Sequence, residues 1–119
     1  MKNFEDLVVW QKAIDLVDVV YDIIDNYPQH QRFSLVQQMQ RCAVSVPSNI
    51  AEGSERNSTT EFIRYLYIAK ASLAELKTQL IISERRDFLS KERYEKLRKE
   101  MHNIDNMLYK LIIKLKDKR

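Results

Sequence analysis

Few side chains in this sequence could act on a substrate. Its two histidines, His30 and His102, stand apart, and its one cysteine, Cys42, has no second thiol to pair with. A metal centre inside helices needs ligands one turn apart, as in H-E-x-x-H or E-x-x-H. The residue three before His102 is Lys99, and Glu100 lies two away, on another face of the helix. Cys42 falls on an apolar stripe, where a free thiol ordinarily behaves as a small buried hydrophobe. Carboxylates gather only as the row Asp15, Asp18, Asp22 and Asp25, a solvated or interface stripe rather than an acid/base pair. One Gly cannot build a phosphate-cradling loop. The expectation is a protein with no metal, no cofactor and no catalytic residue, hence not an enzyme.

Positive charge is what remains. Arg85, Arg86, Arg93, Lys96, Arg98 and Lys99 flank one expected turn. A cationic cluster of this kind can hold RNA or DNA phosphates by counterion release. A solvated, solubilising face is the plainer alternative. The net charge of +3 is unevenly placed. Residues 1–60 carry five Lys or Arg against eight Asp or Glu, whereas residues 61–119 carry fifteen against nine. That asymmetry bears on association and partner choice, not on fold.

The elements that position these groups are helices. One Gly and two Pro in 119 residues leave little turn chemistry for hairpins. Helix one is expected over residues 6–26, with Leu7, Trp10, Ile14, Val17, Tyr21 and Ile24 on one face and Pro28 beyond its end. Helix two begins near Phe33 or Ser34 and turns Leu35, Met39, Cys42, Val46 and Ile50 inward. Pro47 removes an N–H from its interior, which predicts a kink. Gly53 is placed to stop this helix as a left-handed residue.

Helix three starts at Ser58, with Glu61 completing a capping box, and runs to about residue 86. Its seam is Phe62, Leu66, Ala69, Leu73, Leu76 and Leu80. Helix four is capped by Ser90 and carries Tyr94, Leu97, Met101, Ile104, Leu108, Leu111 and Leu115. Four helices joined by short loops predict an all-α, antiparallel up-down-up-down four-helix bundle, one domain over residues 1–119. No apolar run approaches the ~18 residues that span a membrane. With a lone cysteine and no signal-peptide pattern at its start, the chain is expected in the cytoplasm, away from any membrane.

Helix one carries a second apolar stripe, Val9, Leu16, Val19, Val20, Ile23 and Tyr27. The two stripes together span roughly 220°, against the ≳100° that a surface helix needs. A large apolar surplus usually marks an interface, so this second stripe is expected to mediate self-association. The alternative is a wide helix lying deep in its own bundle. The least generic stretch is Ser45-Val46-Pro47-Ser48-Asn49-Ile50-Ala51-Glu52-Gly53. Its Pro47, Asn49, Glu52 and Gly53 read either as the parts of a bent helix and its exit or as a fixed polar cluster at a subunit contact.

Val46-Pro47-Ser48-Asn49-Ile50-Ala51-Glu52-Gly53 is followed by Glu61-Phe62-Ile63-Arg64-Tyr65-Leu66-Tyr67-Ile68-Ala69 and Ser72-Leu73-Ala74-Glu75-Leu76. In these segments the sequence resembles bacterial four-helix-bundle proteins once labelled as a ribosomal protein. Founding members of that family are encoded in intervening sequences within large-subunit ribosomal RNA genes. The opening Phe4-Glu5-Asp6-Leu7-Val8-Val9-Trp10-Gln11-Lys12-Ala13 matches too, so the resemblance covers nearly the whole chain. It implies an antiparallel bundle that assembles as a homopentamer. It also implies kinship with the accessory protein of diversity-generating retroelements, a basic pentameric barrel that binds nucleic acid and a reverse transcriptase. No catalytic residues carry over. Two functions stay open: a nucleic-acid-associated accessory protein binding RNA or DNA, or a scaffold that recruits a partner protein without a polyanion.

Overall fold

Ser58 and Ser90 start two of the four helices by the same means, a hydroxyl turned onto a backbone N–H of the first turn. The Ser58 hydroxyl accepts from Glu61 N–H at 3.2 Å, and that of Ser90 accepts from Arg93 N–H at 3.1 Å. The computed structural model describes residues 3–118. Its helices are α1 (Val8–Ile24), α2 (Leu35–Ser54), α3 (Thr59–Arg85) and α4 (Lys91–Lys118), with short 3-10 turns at Phe4–Asp6 and Gln29–Gln31. No strand occurs among the described residues. The molecule measures 46 × 24 × 20 Å. At ~1.5 Å per residue, α4 alone runs almost the whole of the long axis.

The helices form a four-helix bundle. Each packs on its neighbours in sequence, α2 against α3 most extensively, while α1 closes on α4 through the thinnest seam. Cross-helix bonds give the direction of pairing. Met39 meets Ser83, Cys42 meets Gln79, Ser45 meets Ser72 and Glu52 meets Tyr65, so numbers rise on α2 as they fall on α3. Lys70 with Asp105 and Tyr67 with Lys116 show the same opposition between α3 and α4.

The α3 seam is buried as its pattern predicts, from Phe62 through Leu80. Helix one differs from expectation. Its core face is Val9, Ala13, Leu16, Val20, Ile23 and Ile24, with Tyr27 buried just beyond. Val9, Leu16, Val20, Ile23 and Tyr27 are therefore consumed by the chain's own core and offer no surface to a second copy. Val19 is half-buried beside α4, lining a groove with Ile104 and Met107. Apart from the buried Ile24, the expected primary stripe lies on the flank instead. Trp10, Ile14 and Val17 border α2 near Val44, Pro47 and Ala51, and Tyr21 is 42% exposed. An arc this wide is covered by α2 on one side and α4 on the other, so its centre points inward. Ala13, at that centre, lets the neighbours approach closely. On α4 the same substitution of stripes occurs once, at Ile112, which is fully buried while Leu111 and Leu115 are only partly so.

The two unusual backbone positions also exchange roles relative to expectation. Gly53 does not end α2 in a left-handed conformation, because the helix continues through Ser54 and no glycine has positive φ. Its lack of a side chain serves packing. A Cβ there would sit 2.6 Å from Tyr65 Cβ and 3.1 Å from Phe62 Cδ1. The left-handed residue is Asp87, with φ 62°. Asp87 N–H donates to Glu84 O at 3.1 Å and Phe88 N–H donates to Ser83 O at 2.9 Å. That is the Schellman pattern, with Asp87 in the place usually given to glycine.

The rest of the unusual α2 stretch is interhelical. α2 runs unbroken through the buried Pro47. Asn49 Nδ2 donates to Ser45 O at 2.8 Å and to Ser45 Oγ at 2.9 Å, and Ser45 Oγ meets Ser72 Oγ of α3 at 2.8 Å. Glu52 Oε1 accepts from Arg56 at 3.2 Å and from the Tyr65 hydroxyl at 3.5 Å. Arg56 also donates to that hydroxyl at 2.7 Å, tying the α2–α3 turn to α3. The second arm of the Ser58 capping box is absent in this form, since both Glu61 carboxylate oxygens hold Arg64 at 3.1 Å. Those bonds keep the Glu61 carboxyl below its ordinary pKa.

Candidate nucleic-acid interface

The residues that could carry reactive chemistry are spread through the bundle. His30 is exposed, its ring 6.4 Å from Phe88, and His102 faces Asn106 at 3.3 Å. Among the described residues no three His, Cys, Asp or Glu side chains gather to hold a metal ion. Cys42 is buried against α3, where Gln79 Nε2 lies 3.4 Å from its sulfur. Burial, with Glu75 nearby, pushes its thiol up to about 11. At pH 8 a thiol of that pKa is about one part in a thousand thiolate. Cys42 should accordingly resist an aromatic disulfide reagent in the native protein and react at once in guanidinium. Stoichiometric labelling of the native protein within minutes would show the site to be open.

Asp18, Asp22 and Asp25 are exposed, and Asp15 lines the α1/α4 groove with Lys12, Glu100 and Lys110. None of the four Asp side chains pairs with a cation of α4 among the described residues. The four ion pairs are Arg56–Glu52, Arg64–Glu61, Lys70–Asp105 and Arg98–Glu95. Asp15 thus shares a groove with Lys110 of α4 without an ion pair to it, and Asp18, Asp22 and Asp25 make none with α4 either.

All six cations around the α3–α4 turn are exposed. Arg85 ends α3 and Arg86 caps it, so both sit at one end of the bundle. Arg86 lines a hollow there with His30, Gln31, Ser34 and Phe88. The α4 members do not share one face. At about 100° per residue, Lys96 lies roughly 160° around the helix from Arg98, and Lys99 about 100° from it. Only Arg98 turns to α3. It lines a groove of about 190 Å³ with Lys70, Lys77 and His102, while its guanidinium lies 3.6 Å from Glu95. The cluster that looks continuous along the chain is thus divided between a bundle end, an interhelix groove and the outer side of α4.

That groove brings together Lys70, Lys77 and Arg98, which the linear sequence does not group. Their spacing along each helix was a readable sign: Lys70 and Lys77 lie seven apart, two turns on one face. Which face of α4 they meet depends on interhelix register, and local periodicity does not contain it.

Residues 5–110 match the family described as 23S rRNA-intervening sequence protein. Among solved structures, a protein of unknown function from the S23 ribosomal protein family of Bacteroides thetaiotaomicron VPI-5482 superposes with a TM-score of 0.82. It shares 24% sequence identity over 88% of this chain and 95% of that one, a likeness of fold. No curated protein sequence matches. No helix among the described residues is long and apolar enough to cross a membrane. With a match spanning almost its entire length, the chain belongs to the 23S rRNA-intervening sequence protein family.

Proposed function

We propose that this protein is a non-enzymatic, cytoplasmic, homo-oligomeric accessory protein that associates with RNA or DNA. The carrying observation is membership of a family named for ribosomal RNA genes, in a chain whose second half holds an excess of exposed cations. Arg85, Arg86, Arg93, Lys96 and Lys99 have no carboxylate partner among the described residues, so their charge is available to phosphates. Homopentameric assembly and kinship with the accessory protein of diversity-generating retroelements belong to this reading through the motif resemblance. The contact between copies is assigned to the apolar residues the bundle leaves outside, among them Val8, Tyr21 and Val44. Phe33, 83% exposed beside Val36 and Pro28, supports the second reading, a scaffold that docks a partner protein.

The test is retention of labelled RNA and DNA as ionic strength rises. Binding should weaken linearly on a log–log plot, and Arg85→Ala with Arg86→Ala should reduce the slope by about 1 for each phosphate no longer neutralised. A protein that retains neither polymer at low salt is not nucleic-acid-associated. A partner that co-purifies and survives nuclease treatment favours the scaffold.

A further inference from the structure

Two rows of side chains meet along the α3/α4 seam. Tyr67, Lys70 and Lys77 lie on one face of α3, and Arg98, Tyr109 and Lys116 lie on one face of α4, at spacings of three, seven or eleven that preserve a helical face. Lys116 Nζ donates to the Tyr67 hydroxyl at 3.0 Å and lies 5.5 Å from its ring centre. Lys70 Nζ lies 5.9 Å from the Tyr109 ring and 2.6 Å from Asp105, the one carboxylate in this groove. Lys70 therefore neutralises Asp105 and Arg98 is shared with Glu95, whereas Lys77 and Lys116 have no carboxylate partner among the described residues and leave the face positive.

The tyrosines do not serve the core. Tyr67 is 46% and Tyr109 56% exposed, each beside a lysine. We propose that this seam is a binding track for single-stranded nucleic acid. Tyr67 and Tyr109 stack bases, and Lys77, Arg98 and Lys116 hold phosphates. The inference rests on the nucleic-acid reading above and moves the principal contact from the α3–α4 turn to the seam. From Arg98 to Lys116 the track is about 27 Å long at ~1.5 Å per residue, room for a strand of several nucleotides. Exposed aromatic faces alternating with cations suit a single strand, because its bases are free to stack on a protein ring. A duplex keeps its bases paired and offers this surface only its phosphates.

The experiment uses the full chain and fluorescein-labelled RNA and DNA oligonucleotides of mixed sequence, single-stranded and as duplexes, read by anisotropy. Single strands should bind more tightly than duplexes. Tyr67→Ala with Tyr109→Ala should weaken single-strand binding by about tenfold or more, with the salt slope and duplex binding unchanged. Tyr67→Phe with Tyr109→Phe keeps both rings and should bind like the parent, which separates stacking from the hydrogen bond of the hydroxyl. Lys77→Ala should lower the salt slope by about 1, whether or not the alanine pair folds. Parent-like single-strand affinity in the alanine pair, or a preference for duplex, overturns the track and leaves the broader reading standing. No binding of any probe by the parent overturns both.

Discussion

Leu16→Ala should lower the unfolding free energy by about 2–5 kcal/mol, the cost of a cavity at a buried leucine. Tyr21→Ala on the same helix should cost the dissociated chain under about 1 kcal/mol, because in a single copy that side chain already stands half in water. The contrast tests which stripe of α1 is the core. Were Leu16 an intersubunit contact, its truncation would shift the association equilibrium and leave the unfolding of a dissociated chain almost unchanged. Urea melts across a range of protein concentrations separate the two cases. A Leu16→Ala midpoint equal to the parent's at high dilution would overturn the packing described for α1.

Gly53→Ala should destabilise the protein by about 1–3 kcal/mol, although ordinary helix propensity gives the opposite sign. In an exposed helix interior, exchanging Gly for Ala gains up to ~1 kcal/mol. Here the added methyl meets Tyr65 Cβ at 2.6 Å, an atom fixed to the α3 backbone that cannot swing aside. Relief requires α2 and α3 to separate locally. That would disturb Tyr65, whose hydroxyl bonds Arg56 and Glu52. Thermal unfolding reads the sign directly. A Gly53→Ala protein that melts higher than the parent would mean the helices yield at little cost and that close approach is not the role of this glycine.

These two positions also show what the sequence could and could not reveal. Helix α3 was legible because its main stripe, Phe62 to Leu80, is unbroken, and of the apolar residues beside it Ile63 is buried while Tyr67, Ile81 and Ile82 stay outside. Helix α1 was not, because an arc with two stripes admits several, and the choice depends on where α2 and α4 lie. Gly53 was legible as special but not as to why: a stop signal and a close approach both ask for glycine. The candidate interface divides in the same way. Six cations near one turn are easy to see along a chain, yet Lys96 and Arg98 face nearly opposite ways on α4. Lys77 and Arg98 come together only through the register between α3 and α4, a long-range property that no local pattern carries.

Asp87 has one further consequence. An L-residue with a side chain in the left-handed region costs roughly 1–2 kcal/mol that glycine would avoid, and the turn after α3 carries that cost with its Schellman bonds complete. The lone glycine went where two helices touch, and the bend was left to a less suitable residue. Sequence drift toward glycine at this bend would thus relieve conformational tension while every neighbour stays in place, so the protein retains a reserve of thermal resilience at a site remote from its aromatic seam.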